Sequence, residues 1–283
     1  MTTVEVFAPA KVNLTLHITG RRDDGYHLLD SLVAFASIGD RLMVREGDGV
    51  SLRVNGPEKA GVPEDGSNLV LQAAELLGAQ DKAIELEKNL PSAAGIGGGS
   101  ADAAAAIRAF GGLPADMADE VLALGADIPM CLASATARVQ GIGERVTPLS
   151  LPHLFAVLVN PREVVPTAPV FKALTQPDNP PMPGSLPPFG SASDLAGWLR
   201  HQRNDLELVA LNIAPAISAV LKALEDSPEC GLARMSGSGA TCFGLYPDSA
   251  SAAKAAKALR ESRPAWWIAA CELGDQSNTA RST

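Results

Sequence analysis

Residues 91–105 read Pro-Ser-Ala-Ala-Gly-Ile-Gly-Gly-Gly-Ser-Ala-Asp-Ala-Ala-Ala, which places Gly95, Gly97, Gly98 and Gly99 just ahead of Ser100. The alternating run 83–90 predicts a strand before these glycines, and the alanine-rich run 100–110 predicts a helix after them. A strand, a glycine loop and a helix start suit an anion. Without Cβ atoms a phosphate can approach the main chain, and the unpaired N–H groups of the first helical turn point at it with the helix dipole behind them. Ser100 is placed to cap that helix or to offer its hydroxyl to a phosphate or a metal. The loop is not a Walker A sequence, because no lysine follows Gly99, and Ser100 stands where a dinucleotide fingerprint needs its third glycine. Taken alone, a connection that merely turns the chain competes evenly with an anion site, and the surroundings must decide.

Other residues could join such a site. Strict alternation over 11–19 predicts one half-buried strand, with Val12, Leu14, Leu16 and Ile18 on one face and Lys11, Asn13, Thr15, His17 and Thr19 on the other. Lys11 and Asn13 then project in the same direction about 7 Å apart, so one ligand could touch both, or both belong to a solvated face. The polar turn 20–31 carries Arg21 and Arg22 and ends in Tyr26-His27, a pair able to stack on and hydrogen-bond a planar base or to pack as a loop edge. Asn68 opens an apolar-periodic helix as its N-cap. Asp127, before Ile128-Pro129, follows a short helix ending near Gly125 and stands at an expected helix-to-strand junction. A carboxylate there is a structural cap or a buried functional acid, and the local sequence favours the cap.

The elements that must position these residues come from a chain of 283 residues, 46% hydrophobic, enough for one large or two moderate domains. A net charge of −9 with 4% aromatic residues argues against a nucleic-acid surface, which needs a basic face, so an anionic ligand must be met locally. Cys131, Cys230, Cys242 and Cys271 form no CxxC pair or Cys/His cluster, which predicts buried free thiols rather than structural zinc. With no apolar run of about 18 residues and no signal-like start, the expectation is a soluble cytoplasmic protein without membrane or obligate protein partner. Strands are predicted over 28–37, 41–46, 50–54 and 154–161, with a strand, glycine turn and exit over 136–149. Residues 164–174 turn through Pro166 and Thr167 into a short helix. Residues 176–193 are so rich in Pro, Gly and Ser that they predict a mobile loop, either a linker or a flap. One or two helices follow, with Asn204 and Asp205 as caps. A strand, a second glycine turn at Gly237 and Gly239, a strand, a helix over 249–263 and a last strand then make a β-β-α-β tail. The expected division is 1–156, 157–275 and a frayed tail, 276–283.

Four segments in order, residues 8–32, 91–106, 124–132 and 235–245, resemble the motifs of the GHMP small-molecule kinases. The first and third resemble the branch that phosphorylates a cytidine-diphosphate-linked methylerythritol. The resemblance implies an α+β, two-domain GHMP kinase fold, with a ribosomal-protein-S5-like N-terminal domain, a ferredoxin-like C-terminal domain and ligands in the cleft between. It implies that Gly95, Gly97, Gly98, Gly99 and Ser100, with Pro91, Ala93 and Ile96, hold the phosphates of ATP. Ser100 becomes a candidate Mg²⁺ ligand, and Asn68 and Lys88 candidates for the adenine side. Lys11 and Asp127 would face each other across the acceptor hydroxyl. Tyr26 would stack on a cytosine that His27 reads, with Phe171 on its other side, while Asn13 and Thr167 complete the acceptor site. The chain departs from the pattern at Val33, where an aromatic residue is frequent, at Ile96 for leucine, and at Ala101 for a second serine. Two alternatives stand beside this reading: a GHMP kinase acting on homoserine, mevalonate or a sugar, and a nucleotide-binding regulator without catalysis.

Overall fold

In the computed structural model, which describes residues 3–281, one long strand organises the first half of the chain. β1 (Val4–Asn13) and β2 (His17–Arg21) both pair antiparallel with β3, which runs unbroken through twenty residues, His27–Glu46. The expected gap between 37 and 41 is closed by Gly39. A Cβ there would lie 2.2 Å from the Ala8 carbonyl oxygen, so glycine is what lets β1 approach β3 without breaking it. β4 (Ser51–Asn55) runs parallel to β5 (Lys82–Glu87), and α1 (Leu69–Leu76) supplies the crossover that a parallel pair requires. α2 (Gly98–Ala109), α3 (Ala118–Leu124) and α4 (Ile128–Ala133) follow, then a hairpin of β6 (Ala137–Gly141) and β7 (Arg145–Pro148). The apolar face of this sheet closes over Val33, Phe35, Leu42 and Leu86 against the alanines of α2.

β8 (Leu154–Asn160) begins the second lobe. α5 (Thr167–Lys172), α6 (Ala192–Leu199), α7 (Glu207–Ile213) and α8 (Ala216–Glu225) precede β9 (Leu232–Met235) and β10 (Cys242–Tyr246). α9 (Ser249–Ser262) and β11 (Trp267–Gly274) complete it. The strand order β11-β8-β10-β9, all antiparallel, is the βαββαβ arrangement of a ferredoxin-like lobe. β11 also pairs with β3 at Leu273–Ala36 and Gly274–Phe35, so both lobes share one eleven-stranded sheet. The α+β, two-lobed architecture matches the expectation. The limit expected after residue 156 falls inside β8, whose pairing with β10 and β11 runs through it without interruption.

Several local expectations change. The strand predicted over 11–19 breaks between β1 and β2, and its polar face is not solvated: Lys11, Asn13, Thr15 and His17 are all buried. Alternation reports which residues share a face, but not whether another element covers it. The helix α6 begins at Ala192, inside the end of the segment expected to be irregular, and continues through residues for which no element was expected. Residues 176–191 form no helix and no strand longer than an isolated bridge, as their prolines dictate, yet they are held down. The Arg138 guanidinium collects the carbonyls of Met182, Pro183 and Gly184, Asp30 accepts the Met182 N–H, and Met182 is buried. Arg138 thus satisfies carbonyls that a proline-rich segment cannot pair in a ladder. The tail expected to fray turns back instead: the Gln276 N–H donates to the Ser134 carbonyl, and Ala280 is buried. Residues 282–283 lie outside the described residues.

Candidate active site

The glycine loop leaves β5 and enters α2, whose N-cap is Gly97 in the left-handed region, φ +65°. Ser100 is the third helical residue and caps nothing, contrary to one of the two roles open to it from sequence. The helix bonds begin with the Ala101 N–H donating to Gly97. The N–H groups of Gly98, Gly99 and Ser100 therefore have no main-chain acceptor among the described residues and face the cleft. Small side chains let α2 pack closely: every residue from Ala101 to Ile107 is buried. The second glycine turn supports the first. The Ser236 hydroxyl donates to the Gly95 carbonyl at 3.0 Å, the Thr241 N–H donates to Ala94, and a Cβ on Gly95 would come within 2.6 Å of Ser236 and Gly239 carbonyl oxygens.

Lys11 reaches the site from β1. Its Nζ lies 3.0 Å from Asp127 Oδ2 and donates to Asn13 Oδ1 at 2.8 Å, while Asn13 Nδ2 donates to the Ser31 hydroxyl. Asp127 occupies the N-cap position of α4, but its side chain caps nothing. Pro129 stands at the second helical position and has no N–H to offer, which leaves the carboxylate free to turn towards Lys11. The junction is helix to helix rather than helix to strand. The pair and the loop adjoin: a Cβ at Gly97 would lie 3.2 Å from Lys11 Cε and 3.7 Å from Asp127 Oδ2.

A cleft of about 830 Å³ connects these groups to an aromatic wall. His27 and Phe171 face each other there with ring centroids 5.3 Å apart and planes tilted by 37°, and Tyr26 stands 59% exposed at the rim. Burial, aided by the Arg21 charge, lowers the His27 pKa, so the ring is neutral at pH 7, with one nitrogen a donor and the other an acceptor. Thr167 lines the cleft with its hydroxyl 3.0 Å from that of Ser238.

Not every predicted residue arrives. Lys88 is buried beneath the loop, where its ammonium is held by Asp40 and by Asp102 at 2.7 Å, so its side chain is no ligand for adenine. Asn68 is the N-cap of α1 as expected; its Oδ1 accepts from Val70 and its Nδ2 donates to Pro63, and it does not line the cleft. Pro91 and Ile96 are buried and act on the loop from behind, with the Ile96 carbonyl accepting the Lys11 N–H. Val33 is part of the core, so no aromatic side chain enters the base pocket from that position. Sequence reasoning assigned no part in the site to Asp40, Asp102, Ser236, Gly237 or Ser238. The repeated Gly-x-Gly was the one signal for the last three. Among the described residues no group of three His, Cys, Asp or Glu side chains could hold a metal ion. The Ser100 hydroxyl, which lines the cleft at the loop, fits Mg²⁺ all the same, because that ion takes one or two protein oxygens and fills its shell with phosphates and water.

Comparison with known proteins accords with this geometry. Residues 68–137 match the GHMP kinases N terminal domain, and residues 184–265 match GHMP kinases C terminal. The 4-diphosphocytidyl-2-C-methyl-D-erythritol kinase of Roseobacter denitrificans is 54% identical, covering 98% of this chain and 96% of its own. A crystal structure of 4-(cytidine 5'-diphospho)-2C-methyl-D-erythritol kinase is 34% identical with a TM-score of 0.74, covering 95% of this chain and 99% of its own. The mevalonate kinase of L. major, 15% identical with a TM-score of 0.66 over 96% of each chain, shares the fold. The chain belongs to the GHMP kinases and, among these small-molecule kinases, to the 4-diphosphocytidyl-2-C-methyl-D-erythritol kinase family.

Proposed function

We propose that this enzyme transfers the γ-phosphoryl group of ATP to the C2 hydroxyl of 4-diphosphocytidyl-2-C-methyl-D-erythritol, a cytoplasmic step of non-mevalonate isoprenoid synthesis that needs no protein partner. The observation that carries the reading is the Lys11–Asp127 pair, 3.0 Å apart and beside Gly97 of the anion loop. The acceptor hydroxyl lies against Asp127, which takes its proton as the oxygen attacks phosphorus in line. An ordinary carboxylate is a weak base for an alcohol. The phosphoryl-transfer transition state is loose, so little deprotonation precedes attack and placement matters more than basicity. Lys11 has three donors; two serve Asn13 and Asp127, and the third offsets charge developing on the transferring group. The N–H groups of Gly98, Gly99 and Ser100 hold the phosphates, and the Ser100 hydroxyl would hold Mg²⁺, which neutralises phosphate charge. Asn13 acts mainly by orienting Lys11. The base lies at the His27–Phe171 wall, where neutral His27 can both donate to and accept from a cytosine edge, and Tyr26 closes over it from the rim.

The test is ADP release with Mg²⁺-ATP and 4-diphosphocytidyl-2-C-methyl-D-erythritol, run beside homoserine, mevalonate and galactose. Release with the cytidyl acceptor alone is the expected result. Release with another acceptor instead would reassign the substrate, and folded, ATP-binding protein inactive with all four would support the regulator.

A further inference from the structure

Arg108 sits in the last turn of α2, at the opposite end of that helix from the anion loop. Its Nη1 donates to the Cys131 carbonyl at 2.8 Å and more weakly to Leu132, and its Nη2 donates to the Phe7 carbonyl at 3.0 Å. Its Nε is buried with no acceptor, and no ion pair compensates the guanidinium among the described residues. Burial pushes its pKa down to about 10, so it remains a cation at neutral pH. Removing such a charge from water without a counter-ion is unfavourable, and an apolar side chain of similar length would fill the space at less cost. What the guanidinium adds is geometry, a rigid planar fork reaching two other elements from a third.

Those three elements carry the reacting groups at their other ends. α2 starts at the anion loop, α4 is only six residues long and follows Asp127 directly, and β1 brings Lys11 four residues after Phe7. A shift of α4 or β1 at the Arg108 junction is therefore a shift of Asp127 or Lys11 relative to Gly97. We propose that Arg108 is a positioning residue for phosphoryl transfer, which sets the Lys11–Asp127 pair against the glycine loop by tying α4 and β1 to the far end of α2. This rests on the roles given above to Lys11 and Asp127.

Arg108→Met and Arg108→Lys test it by rapid-quench single turnover at saturating ATP and acceptor, with thermal melts and calorimetric binding of a non-hydrolysable ATP analogue as controls. Arg108→Met is expected to melt cooperatively and bind the analogue within about threefold of the parent enzyme. Its transfer step should fall by roughly ten- to a hundredfold, the scale of a misplacement of about 1 Å. Arg108→Lys, which keeps the charge but not the fork, should fall between. The decisive comparison is the double variant with Asp127→Asn. If Arg108 works through Asp127, adding Arg108→Met to Asp127→Asn should cost far less than its effect alone. Multiplicative losses, transfer by folded Arg108→Met within about threefold of the parent, or a loss matched by lost ATP binding would each overturn the proposal. Should Arg108→Met not fold, Arg108→Lys decides, with parental transfer overturning the proposal and slowed transfer at intact binding supporting it. Failure of the functional reading would look different, since the parent enzyme itself would then transfer nothing to the cytidyl acceptor.

Discussion

Asp127 shows how much one neighbour decides. Its N-cap position would ordinarily turn its carboxylate onto the helix, but Pro129 withholds the second N–H and Lys11 offers a charged partner at 3.0 Å. Asp127→Asn keeps the shape and loses the base. It should bind ATP and cytidine acceptor as the parent does while turnover falls about 10²- to 10⁴-fold, measured by steady-state ADP release; near-parental turnover would remove Asp127 from that role. His27 gives a pH test. Its pKa is lowered, so the neutral ring that reads a base is present throughout the ordinary imidazole range and is lost only as pH falls below it. The KM for the acceptor should be flat from about pH 8 down to about 6.5 and climb below that. A climb centred above the ordinary imidazole value would contradict the assignment.

At the scale of elements, the anion loop depends on what lies under it. Lys88 joins β5 to β3 through Asp40 and to α2 through Asp102, directly behind Gly98, and all three side chains are buried. Burial first, and the Asp40 charge with it, push the Asp102 pKa up to about 8 against the pull of Lys88. Lys88→Met would leave the buried Asp40 carboxylate, with the Asp102 carboxyl group beside it, without its cation, at a cost of about 3–5 kcal/mol. Urea unfolding should show that loss, with part of it restored when Asp102→Asn is added; an unchanged midpoint in Lys88→Met would contradict the account. The family resemblance made Lys88 a candidate for the adenine side. Only the return of β3 beside β5 shows that its charge is already taken up.

The whole molecule joins its lobes through one sheet and through side chains that cross between segments far apart in sequence. Arg138 of β6 pairs with buried Asp30 and, through carbonyls 182–184, holds the proline-rich segment against β2 and β3. Arg138→Met should lower stability by about 3–5 kcal/mol, because Asp30 is left buried and uncompensated. It should also open residues 176–191 to limited proteolysis well before the rest of the chain; equal resistance there would show that other contacts hold the segment. A second link joins Glu58 of the first lobe to Arg162 after β8 by two hydrogen bonds of 2.6 and 2.7 Å.

The sequence by itself determined what is local: the glycine loop between strand and helix, the N-cap at Asn68, the two-strand glycine turn near Gly237, and the lack of regular structure in the proline-rich segment. Backbone freedom, capping and alternation act over a few residues, so they can be read in order along the chain. The order of four motifs added the family and the pairing of Lys11 with Asp127, which periodicity alone had left as a surface lysine and a cap. Tertiary structure decided the rest. Whether the polar face of β1 is wet, whether Lys88 is free, and where Arg108 sends its fork depend on segments tens to hundreds of residues away. The energy of a buried charge is set by those neighbours, and no stretch of sequence around the residue contains them.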